Sequence, residues 1–216
     1  MIVNNSSHGH HGEAGHAELD VVTYEQGLPD QVQHADGKRR GGEMCETITS
    51  HWGCAADDLS HKSPSALIER LAACRRHGAN MLLNVGPEAG GRLGDYERAC
   101  LALVGRWVRS CGEVLYAGEP SALRCRGRDF VLVHGKQYYY FCHNVAIRGN
   151  EHLQSGEPGD GLQTVSGSMP PVRRVAWIDN DEPLGFTQQG ESLTIDATRW
   201  PYGTQGVVRV AVIETA

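Results

Sequence analysis

No hydrophobic run in this chain exceeds a handful of residues, far short of the ~20 that a membrane-spanning helix needs. Near Met1 no basic stretch leads into a long apolar one, so no signal peptide is read there. Positive charge is scarce. Lys and Arg number 20 against 26 Asp and Glu, and the net charge of -6 excludes an electrostatic grip on nucleic acid. The cysteines, at 45, 54, 74, 100, 111, 125 and 142, are odd in number and form no CxxC pair, which excludes a zinc ribbon. Most read as buried thiols, with Cys74, Cys100 and Cys111 inside expected helices. "PEAGGRLG" (87–94) lacks the Lys-Ser/Thr ending of a phosphate-binding loop and reads as a turn. No cofactor is expected.

What is present fits one large domain or two small ones in 216 residues. "MIVNN" (1–5) starts like a buried strand, and a long polar stretch follows to about residue 42. "EMCETITS" (43–50) alternates and carries β-branched residues, so a strand is expected. "SPSALIERLAACRRHG" (63–78) has Ser63 to cap it, Pro64 in its first turn, apolar residues at helical spacing and Gly78 to end it. "NMLLNVG" (80–86) is a continuous apolar run that suits a parallel strand buried on both faces. A second helix is expected from about Asp95 to Cys111, with Gly112 as its stop.

After residue 116 the period changes to two. "DFVLVHG", "QYYYFCHNV", "VRRVAWI", "ESLTIDA" and "GVVRVAVIE" read as strands, and "HGK", "DNDE" and "QQGE" as turns. The expected fold is α/β plus all-β: the end of a partial (β/α)8 barrel over residues 1–116, then an antiparallel β-sandwich over 117–216. A closed barrel needs about 250 residues, so three strands and two helices are only part of one.

Residues 43–116 resemble glycoside hydrolase family 29, the α-L-fucosidases. "GEMCETITSHWG", "KSPSALIERLAACRRHGANMLLNVGPEAGGRLG" and "LVGRWVRSCGEVLYAGEP" carry the likeness. They are similar to that family's Trp-Glu-x-Cys segment with its Trp-Gly pair, its Asn-Leu-Leu-Leu-Asn-Ile/Val-Gly-Pro strand and its Asn-Gly-Glu-Ala-Ile-Tyr helix end. "DVVTYEQGLP" resembles its Asp-Phe/Tyr-x-Thr-x-Glu loop, and "VRRVAWIDNDEPLGFTQQGESLTID" its C-terminal sandwich. The chain departs from the pattern at Ser6, where the family has arginine, at Gly42, where it has tryptophan, and at Gly78-Ala79, where it has a glycine pair.

The resemblance implies a retaining glycosidase that releases terminal α-L-fucose from glycans or glycosides. Such enzymes use two carboxylates about 5–5.5 Å apart. The family's aspartate nucleophile lies upstream of "IVNN" and matches no residue here, so the chain is expected to be a C-terminal portion that is inactive alone. Glu25, on the loop after the first strand, matches the acid/base of some members; its competing reading is a solvated loop glutamate. Glu43 is the rival, with a structural acceptor at a strand end as its alternative. Trp52 matches an aromatic in the apolar wall against the fucose methyl group, with core packing as its alternative. Asn80 and Asn84 are expected to satisfy backbone groups near the Gly-rich turn.

Two other functions stay open on sequence. One is a non-catalytic carbohydrate-binding or degenerate fucosidase-like protein, with Tyr138, Tyr139 and Tyr140 as the aromatic cluster to test. Alternating strand faces would let at most two of these share a surface. The other is zinc binding by His8 and His11, or by His10 and His16, which the intervening glycines make costly in entropy. The oligomeric state and the compartment cannot be read.

Overall fold

The computed structural model describes residues 1–3, 16–29, 38, 40–55, 57–143, 145–147 and 161–216. The chain divides into two compact units, Met1–Arg106 and Trp107–Ala216.

The first unit is built on a parallel sheet in the order β1 (Val21–Glu25), β2 (Gly41–Thr47), β3 (Ala79–Asn84). Helix α1 (Pro64–Arg76) packs on one side of it. Its start is fixed locally: the Ala66 amide donates to the Ser63 hydroxyl (3.1 Å), and Pro64 fills a position that needs no amide. Gly78 has φ +71°, the left-handed conformation that lets the chain leave the helix and enter β3. In register, Val22 aligns with Gly42 and Ala79, and Tyr24 with Met44 and Met81. These side chains and Cys74 of α1 form one apolar cluster, so this is the helix-facing side.

Two expectations are corrected here. Residues 1–3, the described part of "MIVNN", are not buried: Val3 makes a single parallel bridge to Val21, and Ile2 and Val3 are about half exposed. The strand of this region is "VVTYE", where alternation buries Val22 and Tyr24 against α1. Nor is β3 buried on both faces. Leu82 is 52% exposed, because among the described residues only the α1 side is covered.

Helix α2 spans Asp95–Cys111. Asp95 and Glu97 lie in its first turn, where the helix dipole favours negative charge. Cys100, Val104, Trp107 and Cys111 recur every three or four residues and are buried.

The second unit is almost all strand. A short helix α3 (Val114–Ala117) precedes β4 (Glu119–Pro120), β5 (Arg124–Cys125), β6 (Phe130–His134) and β7 (Gln137–His143). Then follow β8 (Leu162–Ser166), β9 (Val172–Trp177), β10 (Phe186–Gln189), β11 (Ser192–Asp196) and β12 (Val208–Thr215). They form two antiparallel sheets, β10-β11-β8-β5 and β4-β6-β7-β12-β9. Val165, Leu193 and Ile195 of the first and Val131, Tyr140, Trp177 and Ile213 of the second share one apolar core. All five expected strands are present; β4, β5, β8, β10 and α3 were not expected.

A cation is buried in this unit. The Arg209 guanidinium lies between the rings of Trp177 (4.4 Å) and Trp200 (4.5 Å) and pairs with both Asp179 oxygens at 3.1 Å. Its charge is thus neutralised and its apolar faces are covered.

Candidate active site

The side of the parallel sheet away from α1 is polar. Register places Thr23, Glu43 and Asn80 in one row, Glu25, Cys45 and Leu82 in the next, and Thr47 and Asn84 in the last. Since side chains alternate along a strand, Glu25 and Glu43 share this face. They are diagonal neighbours about 8 Å apart, given the strand spacing and rise. The Cys45 thiol reports the arrangement. Burial raises its pKa first, and the charges of Glu25 and Glu43 push it further.

The two carboxylates differ in height. Glu25 is the last residue of β1, at the end where parallel α/β proteins gather their chemistry. It was expected on a loop; the alternation that buries Val22 and Tyr24 puts it on a strand end instead. Glu43 lies lower, at the third residue of β2, and its Oε2 accepts from Asn80 Nδ2 at 2.9 Å. Asn80 therefore holds a side chain, not the backbone as expected.

The chain turns sharply after Glu25. Gln26 has φ +52°, unfavourable for a side-chain-bearing residue by roughly 1–2 kcal/mol. Its amide donates to the Cys45 carbonyl (2.8 Å), and Arg70 of α1 reaches its carbonyl at 3.5 Å. Arg70 is itself held by Glu46, which points to the helix side and is fully buried. Glu46 pairs with Arg70 (2.6 Å) and Lys62 (3.0 Å) and accepts the Thr47 amide (2.9 Å). Lys62 also donates to the Thr47 carbonyl (2.8 Å) and hydroxyl (3.1 Å). One buried carboxylate thus braces the ends of both β1 and β2. Sequence reading missed it: Glu46 stands in the buried phase of its strand, but its cations are 16 and 24 residues away.

The loop after β2 is pinned to β3. Asn84 Nδ2 donates to the Trp52 carbonyl (2.6 Å), which is the backbone role expected of it. A Cβ on Gly86 would lie 2.3 Å from the Gly53 carbonyl carbon and 2.4 Å from the Cys54 nitrogen. Only glycine allows that approach. The adjoining cavity, lined by Thr49, Cys54, Asn84 and Glu97 among others, is about 30 Å³, room for a water and not for a sugar. Trp52 itself is 43% exposed, so it is not a core side chain. Beside it, His51 Nδ1 meets Asp58 Oδ2 at 2.8 Å. This pair was also missed, and nothing in the spacing of the two residues signals it.

Among the described residues no three His, Cys, Asp or Glu side chains are grouped to hold a metal. His8, His10 and His11 lie outside the described residues; His16 Nδ1 accepts from the Glu18 amide at 3.2 Å. All seven cysteines are free, and Cys74, Cys100, Cys111 and Cys142 are buried. In β7, Tyr138 and Tyr140 face the shared core, leaving Tyr139 on the other side.

Comparison with known proteins decides the family. The family model described as Alpha-L-fucosidase matches residues 1–113, just over half of the chain. The chain belongs to the α-L-fucosidase family. It is 31% identical to the tissue α-L-fucosidase of Homo sapiens over 116 residues, which are 51% of this chain and 22% of that protein. It is 26% identical to the Rattus norvegicus tissue α-L-fucosidase over 169 residues, 75% of this chain and 34% of that one. α-L-Fucosidase isoenzyme 1 from Paenibacillus thiaminolyticus superposes with a TM-score of 0.73 at 24% identity, covering 90% of this chain and 45% of that one. The Thermotoga maritima α-fucosidase gives 0.67 at 19% identity, covering 92% and 43%. The chain thus spans less than half the length of these fucosidases.

Proposed function

We propose that these 216 residues form the acid/base side of an α-L-fucosidase site, with residues 1–116 as the end of a (β/α)8 barrel and 117–216 as a β-sandwich. In this reading Glu25 protonates the leaving oxygen and then activates water, and Trp52 gives an apolar wall to the fucose methyl group. The observation that carries it is the position of Glu25: half-buried, last in its strand, on the polar face and braced through Gln26. Glu43 is lower on the face and already engaged by Asn80, which favours a structural role. The substrate would be a fucosylated glycan or glycoside.

The residues present leave no match for the nucleophile, so the 216-residue chain alone should not turn over an aryl α-L-fucoside. Turnover at a rate normal for a glycosidase would overturn this reading. A chimera with the nucleophile-bearing N-terminal part of a related fucosidase should be active. The alternative, a non-catalytic carbohydrate-binding protein using the Tyr138–Tyr140 cluster, draws no support from β7, where two of the three rings face the core.

A further inference from the structure

We infer that His51, oriented by Asp58, binds a hydroxyl of the sugar to which the fucose is attached. This rests on the fucosidase reading of the polar sheet face.

The orientation of the imidazole follows from hydrogen-bond bookkeeping. Asp58 accepts three bonds: from His51 Nδ1 (2.8 Å) and the Ser50 amide (3.0 Å) on Oδ2, and from the Ser60 amide (2.8 Å) on Oδ1. His51 first, then the Ser60 amide, hold this carboxyl below the usual range. An ionised carboxylate can only accept, so Nδ1 of His51 carries the proton. The other ring nitrogen, Nε2, is then held in a fixed direction, where it can meet a sugar hydroxyl. The Asp58 side chain is 5% exposed, whereas that of His51 is 60% exposed. A buried carboxylate is spent on orienting a ring that projects into solvent.

The platform beneath this ring is rigid. The Thr49 hydroxyl donates to the His51 carbonyl (3.1 Å) and accepts its amide (3.3 Å). Asn84 holds the Trp52 carbonyl, and Gly86 lies against Gly53 and Cys54. The backbone is therefore fixed while the His51 ring stands exposed. Little ordering would be left to do on binding, which is where affinity is gained. Position selects the sugar. Fucose would lie against the half-buried row of Glu25 and Cys45. His51 lies beyond the last row of the sheet, past Thr47, at the rim where the leaving group would project.

The test uses the full 216-residue chain with ¹⁵N-labelled histidine. It is titrated with methyl α-L-fucoside and with the methyl glycoside of α-L-fucosyl-(1→2)-β-D-galactose, and the ring nitrogens are followed by NMR. The disaccharide should shift His51 Nε2 and bind about three- to tenfold more tightly than the monosaccharide, the worth of one hydrogen bond. In His51→Gln, His51→Ala and Asp58→Asn the ratio of the two affinities should fall to about one. Equal affinities in the wild type, an unmoved Nε2, or a ratio that survives these substitutions would overturn the inference while leaving the fucosidase reading standing. Failure of both ligands to bind at tens of millimolar would overturn the inference, while the fucosidase reading is judged separately by the turnover of the chimera.

Discussion

Glu46→Gln should destabilise the first unit without altering any group on the polar face. The wild-type carboxylate has two cations within 3.0 Å and one amide at 2.9 Å. Glutamine can keep the amide bond but leaves Lys62 and Arg70 uncompensated. Breaking a fully buried pair costs about 3–5 kcal/mol. Lys62 and Arg70 are 25% and 31% exposed and recover part of their hydration, so about 2–3 kcal/mol is expected. For a unit of this size that is about 8–12 °C in melting temperature, at about 4 °C per kcal/mol. Circular dichroism would give the shift. Hydrogen exchange resolved by mass spectrometry should show faster exchange over residues 41–49 and 64–76, with the strands of the second unit unchanged. A shift under about 2 °C with unchanged exchange would refute the bracing role.

Gly86→Ala should cost about 3 kcal/mol, because the added methyl meets backbone at Gly53 and Cys54; a urea titration would measure it. Arg209→Met should cost about 2–3 kcal/mol in the second unit by leaving the 25% exposed Asp179 without this partner, and a melting temperature within about 2 °C of wild type would contradict that. In the folded protein at pH 8, iodoacetamide should modify the exposed Cys54 first. Cys74 and Cys111, whose thiols burial pushes up to about 12, should stay protonated and unlabelled, since only the thiolate reacts. Peptide mapping that found Cys74 or Cys111 labelled as fast as Cys54 would contradict the packing. Removing a nearby charge by Glu25→Gln should lower the Cys45 pKa and speed its alkylation, while an unchanged rate would separate the two side chains.

Much of the scaffold could be read from sequence where local rules agree with tertiary packing. Ser63, Pro64 and Gly78 mark the ends of α1 by themselves, and the β-branched run of "GVVRVAVIE" marks β12. The misreadings arose where local pattern and packing diverge. "MIV" starts like a core strand because it is apolar, yet these residues contribute one bridge, and "VVTYE" takes the strand position because Val22 and Tyr24 meet α1. "NMLLNV" reads as buried on both faces, but alternation sends Asn80, Leu82 and Asn84 to the uncovered side. At the site, Glu25, Glu43 and Trp52 could be named because each matches a motif of the family. The His51–Asp58 pair and the Glu46 brace depend on contacts between residues 7 to 24 positions apart, which no periodicity encodes.

The central claim is that Glu25, and not Glu43, is the acid/base. It is tested most directly by leaving-group dependence in a chimera that supplies the nucleophile. A general acid matters most when the departing oxygen is a poor leaving group, where its removal costs roughly 10²–10⁴-fold. Glu25→Gln should therefore lose about that factor on a fucosyl disaccharide and much less on 4-nitrophenyl α-L-fucoside, with Glu43→Gln close to wild type on both. A Glu25→Gln variant that keeps its disaccharide activity, with the loss appearing in Glu43→Gln instead, would contradict the account.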